Sequence, residues 1–221
     1  MSVTEGMAPA AVEDVVPEPA GGAAYRAAKR ALDVTGAAVG LLLSAPLLAL
    51  AALAIRLESP GPVLFRQRRS GLRARPFDLI KLRTMIADAE FVGAGLAVQE
   101  ADPRITRVGA LLRRLSLDEL PNLVNVVRGE MSLVGPRPTL PVQVAQYTPR
   151  QRGRLTVRPG ITGWAQVHGR ASLPWSRRIE LDLEYVERRS LALDLRILAR
   201  TARLVVGGEG LYKGATGGWG R

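Results

Sequence analysis

The sequence predicts an α+β fold in which one long apolar helix precedes a compact, mainly helical domain. Three observations predict it: an almost wholly apolar run over 34–55, two short alternating runs typical of strands, and two later segments with helical apolar periodicity. With 221 residues the chain is long enough for one ordinary domain with a real core. No internal repeat indicates a solenoid.

The first 24 residues predict a disordered tail, because they contain four acids, no Lys or Arg, and many Ala, Pro and Gly. No basic segment precedes an apolar core as in a signal peptide, so we expect the apolar run that follows to stay in the protein. The predicted division is a tail over 1–24, a membrane helix over 25–57 and a compact domain over 58–221.

The apolar run over 34–55 predicts membrane association, since as a straight helix it would extend about 33 Å, close to the hydrocarbon thickness of a bilayer. Pro46 removes a backbone donor near its middle, and Ser44 is able to bond a freed carbonyl. Both flanks are basic, which conflicts with the cytoplasmic preference of positive charge if the helix spans. From the residues alone, a spanning helix and a re-entrant helix-break-helix are equal alternatives, and a buried core helix is a third.

Beyond this run, the segments VLFRQ and FDLIKLR, joined by the glycine-containing SGLRARP, predict a small β-hairpin. Asp102-Pro103 then predicts the N-cap and first position of a basic amphipathic helix. Its predicted apolar face holds Ile105, Val108, Leu112 and Leu115, and its polar face holds Arg104, Arg107 and Arg114.

A second basic amphipathic helix is predicted near the C-terminus, and either helix suits an ordinary surface position or the membrane interface. Its predicted apolar face holds Leu195, Leu198, Ala202 and Val205, opposite Arg196, Arg200 and Arg203.

Composition limits the classes of function. Lys and Arg number 31 against 20 Asp and Glu, and the net charge of +11 favours an anionic partner such as lipid headgroups, nucleotide phosphates or nucleic acid. Cysteine is absent from the sequence, which excludes disulfides and thiolate metal sites. This composition is compatible with a reducing cytosol.

The segment SLDELPNLVNVVRGEMSLVGPRP, over 116–138, carries the clearest candidates for chemistry. Asp118 and Glu119 are adjacent carboxylates, and a carboxylate can attack phosphorus to form an acyl phosphate. Arg137 lies between two prolines, and its fork suits phosphate oxygens; its alternative role is a salt bridge that supports the two acids. A structural alternative also exists for the acids, because Ser116 and Glu119 have capping-box spacing and Asp118 is able to cap a helix.

Several motifs occur in a fixed order between about residues 29 and 206: KRALDV, SPGPVLFRQRRSG, FDLIKLRTM, DPRITRVGALLRRLSLDELP, RGEMSLVGPRP and RPGITGWAQV. Together they resemble the bacterial sugar transferases, the monotopic polyprenyl-phosphate phosphoglycosyl transferases. The resemblance implies transfer of a phosphosugar from a UDP-sugar to a polyprenyl (undecaprenyl) phosphate with release of UMP. It implies a ping-pong mechanism with a covalent aspartyl intermediate, as the first membrane step of surface polysaccharide or glycoconjugate synthesis.

The resemblance also implies a location and a topology. The protein would reside at the bacterial inner membrane, in contact with membrane lipids, through a re-entrant helix whose break lies at Ser44 and Pro46. The catalytic domain would be cytoplasmic. Relatives often carry Ser-Pro at the break, whereas here Ala45 precedes Pro46.

By the same resemblance Asp118 is the nucleophile and a Mg²⁺ ligand, and Glu119 is a supporting carboxylate. Mg²⁺ also follows from chemistry, because a hard cation neutralises the like charges of a carboxylate and a pyrophosphate. A site shared between carboxylates and substrate phosphates suits Mg²⁺ better than Ca²⁺. The candidate phosphate-binding residues are Arg137, Arg158, Lys81, Arg83 and Arg69, of which Lys81, Arg83 and Arg69, taken singly, are typical of solvated surface charges.

Two rival functions stay open at this point. One is a basic membrane-tethered nucleic-acid-binding protein, which an aromatic content of 5% disfavours because few stacking platforms exist, so no nucleic-acid partner is expected. The other is a sugar transferase without a covalent intermediate.

The single histidine, His168, suggests a general base, but relatives commonly carry asparagine there, which favours a structural or substrate-facing role. The sequence indicates neither the sugar, nor the polyprenol, nor whether a homo-oligomer forms.

Overall fold

The computed structural model describes residues 18–89, 102–169 and 172–207. Helices predominate in these ranges and the two sheets are small, which confirms the α+β class. The helices are α1 (Ala23–Glu58), α2 (Arg107–Arg114), α3 (Asn122–Arg128), α4 (Pro141–Val144), α5 (Pro149–Arg152), α6 (Trp164–Val167), α7 (Trp175–Arg188) and α8 (Leu191–Val206). The strands are β1 (Leu64–Ser70), β2 (Pro76–Leu82), β3 (Ser132–Val134) and β4 (Gly160–Thr162).

The apolar run forms the central part of α1, which has 36 residues and is a single helical element that contains Pro46. The predicted helix-break-helix therefore does not form two separate helices in this part of the chain. Ser44 Oγ donates to the Leu41 carbonyl at 3.4 Å, one residue before the Leu42 carbonyl that Pro46 leaves without its helical donor. In the described ranges α1 is the one helix long and apolar enough to cross a membrane, judged by length and composition.

The ends of α1 differ slightly from the predicted bounds of 25–57. The helix begins at Ala23, so the last residues of the predicted tail are helical, and it ends at Glu58. Residues 1–17 of that tail lie outside the described residues.

One face of α1 packs on the rest of the protein along most of its length. Ala37 packs in a cluster with Leu79 and Val126, and Ile55 packs with Leu82 in a second cluster. The remaining faces leave large apolar side chains uncovered. Leu42 and Leu43 are each 75% exposed, which in water would be costly for so many adjacent leucines.

The predicted β-hairpin is confirmed. Strands β1 and β2 pair antiparallel from Leu64 opposite Leu82 to Ser70 opposite Pro76, and a short 3₁₀ turn at Leu72–Ala74 joins them. Strand β2 buries Phe77 and Leu79 against the core. Asn125 fastens α3 to this strand, because its side-chain amide donates to the Asp78 carbonyl at 2.8 Å and its oxygen accepts from Ile80 N at 3.2 Å.

A second sheet, in which β3 and β4 pair in parallel, was not predicted from the sequence. Each strand has only three residues, too few for a period-two pattern to emerge. The loop after β3 and the segment that leads into β4 approach so closely that a Cβ on Gly135 would lie 2.4 Å from the Arg158 carbonyl. Backbone hydrogen bonds from Gly135 N to the Thr162 carbonyl and from Gly160 N to the Pro136 carbonyl, both at 2.9 Å, hold the loop that carries Arg137 beside the strand.

The amphipathic helices differ from their predictions in register. Helix α2 begins at Arg107, and its N-cap is Thr106, whose side chain accepts from Gly109 N at 2.9 Å. The predicted N-cap, Asp102, instead binds the guanidinium and backbone N–H of Arg104. Arg104 is therefore buried at 4% exposure and not on a polar helix face. The charge-assisted contact between the Asp102 carboxylate and Arg104, two residues away, is stronger than a capping hydrogen bond.

In α8 the buried face is rotated from the predicted one. Ile197 and Asp194 are fully buried, whereas Leu195, predicted on the apolar face, is 55% exposed, and Ala202 is also exposed. Asp194 turns the helix inward, because its carboxylate accepts from Lys29 at 3.0 Å and from Tyr185 at 2.7 Å. The buried contacts of Asp194, and not the apolar periodicity alone, therefore determine which face of α8 is buried.

Candidate active site

Asp118 and Glu119 lie in a 3₁₀ segment, Leu117–Glu119, between α2 and α3. Ser116 has a left-handed backbone with φ of 57°, and its side chain makes no capping hydrogen bond. Helix α3 begins only at Asn122, and no side chain caps it. The capping interpretation of Ser116 and Asp118 is therefore wrong.

The Glu119 carboxylate is the centre of a charged cluster. Its Oε1 accepts from Lys81 Nζ at 2.6 Å and from Arg137 Nη2 at 2.8 Å. Lys81 comes from β2 and Arg137 from the loop after β3, so three separate segments converge on one oxygen. The two prolines that flank Arg137 restrict the backbone from which this side chain extends.

Asp118 has a different environment. It is only 5% exposed, and its Oδ1 is buried with no hydrogen-bond partner among the described residues. A buried carboxylate oxygen without a partner is rare and costly in a folded protein. A ligand or a metal ion is able to supply the contact that this atom lacks among the described residues.

The pKa values of the two neighbouring acids are shifted in opposite directions. Burial alone would raise the pKa of Glu119, but the charges and hydrogen bonds of Arg137 and Lys81 outweigh burial and hold that pKa well below its usual range. Burial raises the pKa of Asp118, which Lys81 opposes and Glu119 reinforces. Pairs of titratable groups whose environments separate their pKa values are typical of catalytic sites.

Lys81 and Arg69 belong to this site, and the sequence interpretation of each as a solvated surface charge is wrong. Burial lowers the pKa of Lys81, against the opposing effect of Glu119. Arg69 lies beside Arg137 on the wall of the same cleft, and burial together with the charge of Arg137 lowers its pKa to about 10. Arg69 donates to the Pro138 carbonyl at 3.4 Å and to the side chain of Gln67.

The residues Arg83 and Arg158 make their contacts elsewhere. Arg83 donates to the carbonyls of Ser59 and Pro60 just after α1, and is buried. It therefore binds the C-terminal end of that helix. Arg158 donates to the Gly129 carbonyl at 2.9 Å and lines a separate cavity. Ser44 and Pro46 lie within α1, as described above.

Sequence reasoning missed one cation near Asp118 and another near Arg137. Burial raises the pKa of Asp118, and the charge of Arg113, at the end of α2, partly opposes this effect. The Nε of Arg113 donates to Thr84 Oγ1 at 2.7 Å. Arg178, in α7, lies near enough to Arg137 for the charge of Arg137 to lower its pKa, after the larger effect of burial. The run of basic residues in α2 was visible in the sequence, but its orientation was not.

A buried ion pair supports the Arg137 loop from behind. Arg154 donates to the Asp182 carboxylate and, at 3.1 Å, to the Arg137 carbonyl. Its guanidinium also lies over the ring of Trp175 at 5.5 Å. Asp182, which the sequence interpretation transferred only weakly from relatives, thus holds the arginine that binds the backbone of a site residue.

His168 lies outside the carboxylate cluster, which agrees with a structural role. Its Nδ1 is 2.8 Å from the Trp164 carbonyl, and its Nε2 is 3.1 Å from Arg200 Nη1. The imidazole is held between α6 and α8 and not beside Asp118.

The donor set fits a metal ion shared with a ligand better than a cage made by the protein. No group of three or more metal-binding side chains occurs among residues 18–89, 102–169 and 172–207. Asp118 Oδ1, which has no hydrogen-bond partner among the described residues, and the neighbouring Glu119 would be the oxygen donors for one hard cation. Mg²⁺ commonly uses one or two carboxylates together with substrate phosphates.

The sequence is similar to that of known bacterial sugar transferases. Residues 24–208 match the family model of the bacterial sugar transferases. The uncharacterized sugar transferase EpsL of Bacillus subtilis is 44% identical over 185 residues, which cover 84% of this chain and 90% of that protein. The UDP-glucose:undecaprenyl-phosphate glucose-1-phosphate transferase of Caulobacter vibrioides is 47% identical over 192 residues, which cover 83% of this chain and 72% of that protein.

A longer relative shows the same similarity over part of its length. The undecaprenyl-phosphate glucose phosphotransferase of Komagataeibacter xylinus is 47% identical over 190 residues, which cover 79% of this chain but 35% of that protein. The residues that match the family model, 24–208, include every residue of the carboxylate cluster.

Proposed function

The chain is an enzyme of the bacterial sugar transferase family, and on that basis we propose that it transfers a phosphosugar from a UDP-sugar to undecaprenyl phosphate and releases UMP. The named activities of the relatives from Caulobacter vibrioides and Komagataeibacter xylinus support this reaction class. The product would be a polyprenyl diphosphate sugar, which serves as the first membrane-bound intermediate of a surface glycan.

The observation that carries the proposal is the contrast between the two adjacent acids. Glu119 is held ionised and pairs with Lys81 and Arg137, which line the same cleft. Asp118 keeps a carboxylate oxygen that no hydrogen bond from the described residues occupies. A raised pKa makes the ionised Asp118 a better nucleophile, because a more basic carboxylate attacks phosphorus more readily.

In the proposed first step, an Asp118 carboxylate oxygen attacks the phosphorus that bears the sugar. The bond from this phosphorus to the bridging oxygen breaks, and UMP leaves with the electron pair. In the second step, a phosphate oxygen of undecaprenyl phosphate attacks the same phosphorus, and the bond to Asp118 breaks to restore the carboxylate. Arg137 and Arg69 supply guanidinium donors for the phosphate oxygens.

Mg²⁺ is the proposed cofactor, with Asp118 and Glu119 as its protein ligands. When bound, it neutralises the pyrophosphate charge that a carboxylate nucleophile must approach. Lys81 and Arg137 already neutralise Glu119. They therefore reduce the repulsion between this acid and an incoming phosphate without any further group.

We also propose that α1 enters and leaves the membrane from the cytoplasmic side. Ala37 and Ile55, 18 residues apart in α1, both pack on the same domain. That separation is about 27 Å in a straight helix, nearly the full hydrocarbon thickness. A spanning helix would therefore draw the domain into the bilayer, whereas a shallow or re-entrant helix leaves the domain in water. We divide the chain accordingly into a tail, a membrane helix and a cytoplasmic catalytic domain.

The topology is tested with single cysteines, since the natural chain has none. Cysteine at Ser2 and at Ser172 should both resist an impermeant thiol reagent in intact cells and react after lysis. Labelling of the tail alone in intact cells would establish a spanning helix.

The covalent step is tested by intact mass spectrometry. Wild-type enzyme incubated with UDP-sugar and Mg²⁺, without acceptor, should gain the mass of a phosphosugar and release an equal amount of UMP. Asp118→Asn should gain none, while Asp78→Asn, a change at an exposed carboxylate of the hairpin, should behave as wild type. Release of UDP in place of UMP would show transfer of the sugar alone, and UMP release only with acceptor present would exclude the covalent step.

A further inference from the structure

A second charged cavity lies apart from the carboxylate cleft. It has a volume of about 400 Å³, within the usual range for ligand sites. It lies between the first turns of α1, the 3₁₀ turn of the hairpin, the segment before β4 and the end of α7. It shares no lining residue with the cleft that contains Lys81 and Glu119. No step of the proposed reaction uses it.

The cavity is strongly positive. Six cationic side chains line it against one carboxylate, Asp33; the cations are Arg26, Lys29, Arg30, Arg73, Arg158 and Arg189. Asp33 is occupied by protein donors, because its Oδ1 accepts from Ser132 Oγ at 3.0 Å and from Leu133 N at 2.9 Å.

The hydrogen bonds of these cations leave their charges in place. Arg30 donates to the carbonyls of Val126 and Val127 at 2.7 Å and 2.9 Å, and Arg158 donates to the Gly129 carbonyl. Among the residues that the structure describes, only Lys29 of the six forms a salt bridge, at 3.0 Å from Asp194. A carbonyl fixes a guanidinium without cancelling its charge, so the cavity attracts anions.

The position of the cavity identifies the kind of anion. Its residues on α1 run from Tyr25 to Asp33, and the apolar run starts at the next residue, Val34. Arg30 lies about 6 Å along the helix axis from Val34. That distance matches the headgroup layer, which adds about 5–7 Å on each side of the hydrocarbon. A lipid phosphate would therefore reach these arginines while its acyl chains lie beside the uncovered leucines of α1.

We propose that this cavity binds the phosphate headgroup of an anionic phospholipid and thereby fixes the depth and tilt of α1 in the membrane. Because it shares no lining residue with the cleft of Lys81 and Glu119, we assign it to a lipid and not to the reacting acceptor. The proposal rests on the membrane placement of α1 but not on the transfer reaction, so it can fail or hold independently of the enzymatic activity.

The test uses the full chain purified in neutral detergent, with bound lipid measured by native mass spectrometry. The variant carries Arg26→Gln and Arg73→Gln, two exposed cavity arginines. The matched control carries Arg107→Gln and Arg114→Gln, two exposed arginines of α2 outside the cavity. Wild type and control should retain added phosphatidylglycerol and reject phosphatidylcholine. The cavity variant should bind phosphatidylglycerol about 30-fold more weakly, since each basic residue near a lipid surface contributes about 1 kcal/mol.

Each other outcome overturns the proposal in a different way. Equal losses in variant and control would show diffuse charge attraction without a defined site. Displacement of phosphatidylglycerol by millimolar glycerol phosphate would assign the cavity to soluble phosphates. Retention of undecaprenyl phosphate at the expense of phosphatidylglycerol, lost in the cavity variant, would assign it to the acceptor.

Discussion

Two ion clusters meet at Arg137, and they differ in their access to solvent. At Glu119, the side chain of Arg137 is 45% exposed and borders a cleft. At Asp182, the side chains of the Arg154 pair are 4% and 2% exposed, and aromatic rings cover the guanidinium. The closed cluster holds the backbone of Arg137 through its carbonyl, and the open cluster holds its side chain. We therefore expect the closed cluster to contribute to stability and the open cluster to bind the ligand.

The largest expected effect that separates the clusters is the loss of activity in Asp118→Asn. The amide keeps the shape but removes the nucleophilic charge, so UMP release should fall by about 10³-fold or more. The stability of the variant should not fall with its activity. The pKa of Asp118 is raised in the folded protein, so folding favours the protonated acid. The stabilisation that protonated Asp118 provides is lost as the pH rises through this folded pKa.

At pH 8 the thermal unfolding temperature of Asp118→Asn should therefore equal or exceed that of wild type. A variant that is both inactive and clearly less stable would make Asp118 a structural residue. Asp78→Asn, in an exposed pair with Arg68, provides the control for a surface acid.

The next effect concerns the closed cluster. Arg154→Met leaves Asp182 buried without its cation, which should cost about 3–5 kcal/mol in the free energy of unfolding. Arg150→Met removes an ion pair whose partner, Glu180, is 46% exposed, and it should cost under about 1 kcal/mol. Denaturant unfolding in detergent measures both. Equal losses in the two variants would remove the distinction between the clusters.

Some features of the fold and of the site were predictable from the sequence, and others were not. The hairpin was predictable because its strands are neighbours and alternate in polarity, and Asp118, Glu119 and Arg137 were identified by chemistry that short motifs carry. Lys81 could not be assigned, because its contact with Glu119 spans 38 positions and depends on how α3 packs over β2. Long-range packing decides whether a lysine in a strand is solvated or buried.

Local rules also failed where a side chain found a stronger partner than the rule assumes. Asp102 was predicted to cap a helix, but its carboxylate binds Arg104. Asp194 sits within the first turn of α8, yet it turns inward to Lys29 and Tyr185. In both places a charge-assisted hydrogen bond outweighed cap or stripe preferences worth about 1 kcal/mol.

A smaller effect is expected for Arg137→Lys, which sharpens the role of the open cluster. The ammonium keeps the charge and can still pair with Glu119, but it loses the second prong of the guanidinium. We expect UMP release to slow about tenfold while unfolding is unchanged within about 0.5 kcal/mol. Arg68→Lys, at an exposed arginine of β1, should change neither quantity. A wild-type rate for Arg137→Lys would reduce Arg137 to a generic counter-charge.

The smallest effect is a shift of the acidic limb of the pH–rate profile in Lys81→Met. Burial raises the pKa of Asp118, and Lys81 is the largest of the influences that lower it. Loss of this cation should raise that pKa further, so the acidic limb of kcat/KM should move to higher pH. Lys81→Arg keeps the charge and should leave the limb near its wild-type position. Movement to lower pH, or an equal movement in both variants, would mean that the limb reports a group other than Asp118. In that case the paired charges of the open cluster would bind substrate without tuning the nucleophile.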